Sequence, residues 1–382
     1  MTPPDYQRSI VNLMSAIGLG LGAEPGDYAP LAEMPRARLT DRPVVLWVID
    51  GLGETTLSRF PDSALARHRI ATLHSTFPST TATAITSYTS GVGPQQHAIT
   101  GWFTWLRELG SVATILPFFP RHGGESYAQQ GITPQQIIGH GPLADRIRVP
   151  TEIVTPAYIV DSDYTRASAG QAQRHPHTTL EELVRTVTAL AGSGEPRYIL
   201  AYWTELDALA HQHGVASAQV DHHFAQLDRA FDTLRAALAG SGALLLVCAD
   251  HGLLDTGARE TIHLDDHPAL AHCLTLPLCG EPRAAYAYVR STRRRQFEDY
   301  LEGELDDRLQ WVASEQLLAE GYFGLGTPHP RLWERIGDYV LLPRGRHIIK
   351  DRLPNERPFR MIGVHGGLSR EEQEVPLILA ET

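Results

Sequence analysis

The sequence predicts an α/β protein in which a central, mostly parallel sheet is sandwiched by helices. Two apolar runs, 43–49 and 243–249, have the unbroken character of strands buried on both faces, and each stops at an aspartate. A third apolar run covers residues 197–203. Apolar residues from Val220 to Leu238 fall at alternating three- and four-residue steps, which indicates an amphipathic helix. Strands and helices that alternate in this way favour a parallel sheet.

Two further helices are predicted near the first strand. One lies around residues 10–17, ahead of that strand. The other lies within the Ser/Thr-rich run 74–91, where hydroxyl residues precede small residues and Gly91 provides a stop signal. A hydroxyl at the start of this helix would lie in the positive field of the helix N-terminus, a position that suits an anionic phosphate.

The composition of the sequence changes in its last third. Residues 266–354 are rich in Arg and Pro and contain shorter apolar runs, so we expect a small inserted α+β cap subdomain there. Residues 1–265 and 355–382 would form the core, which the chain rejoins at the apolar segment 359–367. Both ends of the cap would then lie near the residues that end the core strands, so we expect the cap to influence substrate choice.

Composition limits the class of partner. With 42% hydrophobic and 20% charged residues, the 382-residue chain has the composition of an ordinary globular protein. Its net charge is -11 and it has no basic run, which argues against a nucleic-acid scaffold or an anionic membrane as partner. The oligomeric state is left open.

The terminus and the cysteines favour a cytoplasmic protein. Residues 1–8 lack the basic segment of a signal peptide, and no apolar run is long enough for a transmembrane helix. The three cysteines have neither a disulfide pattern nor zinc-knuckle spacing, so we expect buried thiols at Cys248, Cys273 and Cys279.

Acidic residues and histidines follow the predicted strands. Asp50 alone would favour a helix or turn cap over a metal ligand, because Asp before Gly is ordinary turn chemistry. The pattern repeats, however, and a helical turn would place Asp207 and His211 on one face. Imidazole and carboxylate together suit zinc, so the repeated pattern predicts a metal site. The strand-like segments end in Asp50, in Glu205 and Asp207, in Asp250 and His251, and in His365.

These motifs resemble, in order, those of the alkaline-phosphatase superfamily, and the nearest branch is the type I phosphodiesterase and nucleotide pyrophosphatase group. The resemblance extends from about residue 44 to the C-terminus. It rests on the runs Val48-Ile49-Asp50-Gly51, Phe77-Pro78-Ser79-Thr80-Thr81, Asp207-Ala208-Leu209-Ala210-His211, Ala249-Asp250-His251-Gly252 and Val364-His365-Gly366-Gly367.

The resemblance implies an alkaline-phosphatase-like fold and two divalent metal ions, with zinc as the expected metal. One ion would be held by Asp207, His211 and His365. The other would be held by Asp50, Asp250 and His251, and it would also bind the oxygen of Thr81.

The same resemblance implies that Thr81 is the catalytic nucleophile. The family pattern places one variable residue between Phe-Pro-Ser and the nucleophile, which selects Thr81 over Thr80. We therefore expect a two-metal hydrolase of phosphodiester or nucleotide pyrophosphate bonds that forms a phosphothreonine intermediate. Its substrate would be a small phosphate ester, with nucleotides among the candidates.

One departure from the family pattern keeps alternatives open. Relatives commonly have an Asn donor three residues after the nucleophile, whereas this chain has Ala84. Phosphomonoesterase or phosphonate hydrolase activity is one alternative, and a metal-stabilised binding protein without turnover is another. The aromatic residues Trp102, Phe103 and Trp105 are candidates for stacking a nucleobase, although core packing is the commoner role of such clusters.

Overall fold

A computed structural model of the chain describes residues 2–354, 356 and 360–382. The strands, in chain order, are β1 (Pro43–Ile49), β2 (Arg69–His74), β3 (Phe103–Leu106), β4 (Ser111–Thr114), β5 (Phe119–Pro120), β6 (Thr151–Pro156), β7 (Gln173–His177), β8 (Arg197–Trp203), β9 (Leu244–Cys248), β10 (Leu254–Asp255), β11 (Thr261–His263), β12 (Cys279–Glu281), β13 (Ala284–Ala287), β14 (Leu309–Ala313), β15 (Tyr339–Pro343), β16 (Ile348–Lys350), β17 (Gly363–Val364) and β18 (Glu374–Glu381).

The α-helices alternate with these strands. They are α1 (Ile10–Gly20), α2 (Glu54–Leu57), α3 (Ala64–Arg67), α4 (Thr81–Ser90), α5 (Pro94–His97), α6 (Asp163–Ala169), α7 (Leu180–Ala191), α8 (Glu205–His213), α9 (Ala218–Ala237), α10 (Pro268–Ala271), α11 (Arg294–Glu304), α12 (Ser314–Ala319), α13 (Leu332–Arg335) and α14 (Arg370–Gln373). Short 3-10 turns cover Arg36–Arg38, Pro134–Gln136, Leu143–Asp145, Leu264–Asp266 and Ser291–Arg293.

The main sheet has seven strands in the order β2-β18-β9-β1-β8-β6-β7. Strand β1 lies in its centre and pairs in parallel with both β8 and β9, and β18 is the antiparallel member. Every residue of β1 and β9 is buried, because helices flank the sheet. The predicted α/β fold class is confirmed, and the ends of β1, β8 and β9 meet at one edge.

The loops that leave this edge pack closely against one another. A Cβ atom on Gly53, after β1, would lie 2.7 Å from the Cα of Gly252, after β9. The backbone approach therefore requires glycine on both loops. This contact keeps the residues after β1 and those after β9 together.

The apolar segment before His365 differs from the sequence prediction. Strand β17 pairs with β10 in an antiparallel two-stranded ribbon and is not part of the main sheet. The chain rejoins the sheet only at β18. Phe359, the first residue of the predicted segment, and Asn355, where the second part of the predicted core begins, lie outside the described residues.

A second sheet of seven antiparallel strands has the order β14-β15-β13-β12-β3-β4-β5. The predicted cap, 266–354, contributes β12 to β15, and the other three strands come from residues 103–120. Strands β3 and β12 join the two contributions through the pair Gly280 and Phe103. The boundaries of the cap as a separate domain remain a prediction.

Arg283, in the turn between β12 and β13, connects this second sheet to the core. Its Nε and Nη2 atoms donate to the two carboxylate oxygens of Glu372, at 3.1 and 2.8 Å. Both side chains are buried. Glu372 also accepts from the backbone N of Gly367 at 2.8 Å, two residues after His365. The ion pair therefore holds the segment that carries this histidine.

Removal of Arg283 should destabilise the protein strongly. Arg283→Met leaves a buried carboxylate without its cation, a change that typically costs about 3–5 kcal/mol. The double variant Arg283→Met/Glu372→Gln should lose at least about 1 kcal/mol less, because no unpaired charge remains. Denaturant unfolding measures both variants. Equal losses in the single and double variants would contradict the role given to charge.

Candidate metal and phosphoryl-transfer site

Asp50 directly follows the central strand β1 and is buried. Its backbone N donates to the carbonyl of Trp203 at 2.8 Å, which continues the pairing of β1 with β8. Its Oδ2 accepts a hydrogen bond from the hydroxyl of Tyr202. Its Oδ1 has no hydrogen-bond partner. One carboxylate oxygen is therefore oriented by the sheet, while the other is available to a ligand.

Asp250 and His251 follow β9 and lie beside Asp50. The Oδ1 atom of Asp250 accepts from the backbone N of Gly51 at 3.1 Å and from that of His251 at 3.0 Å, whereas its Oδ2 has no partner. The Nε2 atom of His251 lies 3.5 Å from Asp50 Oδ1 and 3.4 Å from Asp250 Oδ2. The structure thus brings together the three residues predicted to hold one metal ion.

The other predicted ligand set also converges. Asp207 Oδ2 lies 3.1 Å from His211 Nε2, one helical turn away on α8, and Asp207 Oδ1 has no partner. The ring of His365 lies 5.2 Å from that of His211 and stacks on His251 at 3.7 Å, centroid to centroid. Asp207, His365 and His251 form a second group with metal-ligand spacing. His251 is therefore shared by both groups, which the sequence did not predict.

The backbone orients all three histidines in the same way. Their Nδ1 atoms lie within hydrogen-bond distance of carbonyl oxygens: 2.7 Å from Gly363 for His211, 3.1 Å from Gly252 for His251 and 3.1 Å from Ser79 for His365. A carbonyl can only accept, so each Nδ1 carries a proton, and in the neutral ring Nε2 is the nitrogen left to bind a metal ion. This is the usual arrangement around metal-binding histidines.

Crowding of the carboxylates shifts their proton affinities. Burial raises the pKa of Asp50, and the charges of Asp250 and Asp207 raise it further. Burial also raises the pKa of Asp250, although His251 opposes the shift. Burial would raise the pKa of Asp207 as well, but His211 holds it below its usual value. Three anionic groups in one buried place require a positive counter-charge.

These residues fit a pair of divalent cations. Three carboxylate oxygens without partners face the same region as three imidazole lone pairs, and all the side chains that carry them are buried or half-buried. The residues present are the ligands that zinc accepts. Asp50, Asp207, His211, Asp250, His251 and His365 are therefore the candidate ligands.

Thr81 is the first residue of α4 and faces this cluster. Its Oγ1 lies 3.1 Å from His251 Nε2. Because that nitrogen carries the lone pair, the Thr81 hydroxyl donates the hydrogen bond. The neighbouring hydroxyls point elsewhere: Ser79 donates to Gly367 O at 2.8 Å and Thr80 donates to Glu281 Oε1 at 2.7 Å. Thr80 occupies the N-cap position, but its side chain does not cap the helix.

Sequence reasoning missed two residues near the site. Tyr202, whose hydroxyl binds Asp50, lies inside an apolar strand and carries no motif. Glu281 comes from the second sheet, and only tertiary pairing brings it to Thr80. Among the aromatic candidates, Trp102 reaches this region through its backbone N, which donates to Glu281, and Phe103 packs against the guanidinium of Arg121.

An α/β fold with a buried carboxylate and histidine cluster facing a hydroxyl at a helix N-terminus defines a metal-dependent hydrolase. The sequence model described as type I phosphodiesterase/nucleotide pyrophosphatase matches residues 44–367. That match covers most of the chain, and the protein belongs to this family. The resemblance inferred from the motifs is confirmed. No curated protein matches the sequence significantly.

Solved structures show the same fold. Murine ectonucleotide pyrophosphatase/phosphodiesterase 5 has a TM-score of 0.67 at 15% identity, and the match covers 87% of each chain. An inactive form of that protein, in complex with AMP, has the same TM-score and identity over 88% of this chain and 87% of the other. Phosphonoacetate hydrolase from Sinorhizobium meliloti 1021, in complex with phosphonoformate, has a TM-score of 0.65 at 17% identity over 89% of this chain and 90% of the other. Within the described residues, no helix is both long and apolar enough to cross a membrane.

Asp50→Asn should have opposite effects on the metal-free and metal-loaded protein. Without metal, the variant removes one of three crowded charges and should raise Tm by about 2 °C or more. With metal, the loss of a charged ligand should weaken binding by about tenfold or more. Differential scanning calorimetry and metal titration measure these effects.

Without metal, the rise in Tm caused by Asp50→Asn should depend on pH, because the pKa of Asp50 is raised in the folded protein. The folded protein binds the Asp50 proton more tightly than the unfolded chain does. The loss of stability caused by the Asp50 charge is therefore absent below the pKa of Asp50 in the unfolded chain and complete above its pKa in the folded protein. The gain from Asp50→Asn should therefore be larger at about pH 8 than at about pH 5. A gain that grew on acidification would refute this explanation.

Proposed function

We propose that the protein hydrolyses phosphodiester or nucleotide pyrophosphate bonds by double displacement, with Thr81 as the nucleophile. The observation that carries the proposal is the 3.1 Å contact between Thr81 Oγ1 and His251 Nε2, within a cluster of six candidate metal ligands. A threonine with only a structural role would have no need of a buried carboxylate and histidine cluster beside it.

Two zinc ions are the expected cofactors. Asp50, Asp250 and His251 would hold the ion nearer Thr81, and Asp207, His211 and His365 would hold the other. When bound, the ions would lower the proton affinity of the attacking oxygen and offset the charge of the phosphoryl oxygens.

The residues of the chain orient the attack. The start of α4 holds the Thr81 hydroxyl at the cluster, 3.1 Å from His251 Nε2, the nitrogen that would bind a metal ion. The first amide N–H groups of α4 have no intrahelical partner, so they are available to a phosphoryl oxygen in place of the Asn donor that Ala84 cannot supply. Thr81 Oγ forms a bond to phosphorus, the ester P–O bond breaks, and the leaving alcohol takes a proton. Water then cleaves the phosphothreonine and restores the hydroxyl.

The substrate is inferred to be a small phosphate ester, with nucleotides as the first class to test. Support comes from the family, whose description includes nucleotide pyrophosphatase, and from the related structure that holds AMP. We further propose that the 266–354 cap influences substrate choice.

Phosphonate hydrolysis is the second candidate, because the fold matches a phosphonoacetate hydrolase almost as well. The hydrolysis panel separates it from ester hydrolysis, because phosphonoacetate has a P–C bond where an ester has a P–O bond. Phosphomonoesterase activity is a further alternative, because the same two-metal chemistry would also cleave a monoester.

A hydrolysis panel on the metal-analysed protein tests the proposal. Bis-p-nitrophenyl phosphate and a nucleotide ester should be hydrolysed faster than p-nitrophenyl phosphate and phosphonoacetate. Removal of metal by chelation should abolish turnover, and zinc should restore it. Tight nucleotide binding without hydrolysis of any ester would instead support a metal-stabilised binding protein.

Thr81→Ala should reduce kcat by at least about a thousandfold, because the attacking oxygen is lost. Folding and metal content should change little. Thr83→Val is the matched control in the same helical turn: its buried hydroxyl has no hydrogen-bond partner, so the isosteric change should leave activity intact. Steady-state kinetics and metal analysis decide the outcome.

Thr80→Ala should be milder than Thr81→Ala, since Thr80 donates to Glu281 and does not face the ligands. If Thr80→Ala abolished turnover while Thr81→Ala did not, the nucleophile would be shifted by one residue.

A further inference from the structure

Glu281, the last residue of β12, is a buried carboxylate beside the nucleophile helix. Its Oε1 accepts two hydrogen bonds, from Thr80 Oγ1 at 2.7 Å and from the backbone N of Trp102 at 2.7 Å. The side chain belongs to the second sheet, whereas Thr80 immediately precedes the proposed nucleophile in the core. Its other oxygen, Oε2, has no hydrogen-bond partner among the described residues.

Close backbone packing places Glu281 there. A Cβ on Gly101 would lie 2.7 Å from the Cα of Gly280, so β3 and β12 approach more closely than other residues would allow. On the other side, a Cβ on Gly366 would lie 2.6 Å from the Cβ of Glu281. The carboxylate is thus enclosed between the segment after α5 and the segment that carries His365.

The charge of Glu281 acts on the candidate ligands. Burial lowers the pKa of His211, whereas Asp207, the carbonyl of Gly363 and, least of all, the Glu281 carboxylate raise it. Burial raises the pKa of Glu281 itself to about 7, although the hydrogen bonds from Thr80 and Trp102 favour its charged form. Divalent cations in the neighbouring cluster would favour the charged form further.

We propose that Glu281 is a specificity-determining residue that disfavours phosphoryl groups with two negative charges and so favours diesters over monoesters. The proposal rests on the proposed function. A phosphodiester carries one negative charge, whereas a monoester carries nearly two at about pH 8. A fixed anion beside the site repels the second charge. In the described residues, no arginine or lysine pairs with Glu281 to cancel its charge.

Glu281→Gln isolates the charge. Glutamine keeps an acceptor oxygen for Thr80 and Trp102 but removes the negative charge. At about pH 8, the ratio of kcat/KM for p-nitrophenyl phosphate to kcat/KM for bis-p-nitrophenyl phosphate should rise about tenfold over the wild type. Both esters release the same alcohol, so the ratio reports recognition of the phosphoryl group.

Thr80→Val provides the matched control, because it removes one hydrogen bond to Glu281 and keeps the carboxyl group. Since that hydrogen bond favours the charged form, the control is compared with the wild type and with Glu281→Gln at about pH 9, where the carboxylate stays charged. It should lower kcat for both esters by a similar factor and leave their ratio within about twofold of the wild type. If Thr80→Val changed the ratio as much as Glu281→Gln does, the position of the Glu281 side chain and not its charge would select between the esters, and the proposal would be overturned.

A binding measurement separates this proposal from the proposed function. In calorimetry with the zinc-loaded protein, Glu281→Gln should tighten the binding of inorganic phosphate, which carries nearly two charges, about tenfold more than it tightens the binding of dimethyl phosphate, which carries one. If the wild type hydrolysed neither ester, the proposed function would fail, whereas this comparison would still test Glu281. Should the glutamine variant not fold, Glu281→Ala takes its place. Unchanged phosphate affinity in a folded variant, or an unchanged ester ratio, would overturn the proposal.

Discussion

Mutual repulsion of three buried carboxylates is the constraint on which this molecule depends. Asp50, Asp207 and Asp250 are buried and meet where the central strands of the main sheet end, so water does not screen their charges. Hydrogen bonds from Tyr202 and from backbone amides satisfy some of the oxygens, and three of the oxygens have no partner. The fold maintains this arrangement because the ends of adjacent parallel strands are adjacent in space. Bringing the three anions together costs free energy, and bound cations offset that cost.

The central features of the site were predictable because they are local. An aspartate that ends an unbroken apolar run must lie at a sheet edge, and Asp207 and His211 share one face of a helix whatever the tertiary structure. The fold class followed from the alternation of strands and helices, and family membership followed from the order of the motifs. Thr81 as nucleophile and the division of the ligands between two ions are still predictions.

Features that depend on distant pairing were not predictable. The sequence around Glu281 has no periodicity or motif, and its contact with Thr80 exists only because β12 pairs with β3, which lies more than a hundred residues earlier. The pairing of β17 with β10 outside the main sheet was not predictable, because an apolar segment does not reveal its partner. Tyr202 could have been suspected only as a polar group in an otherwise apolar strand.

The discontinuous origin of the second sheet bears on attempts to recombine this protein with its relatives. The sequence predicts residues 266–354 as a separate inserted segment, yet their removal would leave β3 without its partner β12 and would unpair the strand edge at Phe103. It would also delete Arg283 and leave Glu372 as a buried anion. A chimaera that altered substrate preference would therefore need to carry residues 103–120 along with the inserted segment, so that both strands of the seam come from the same parent.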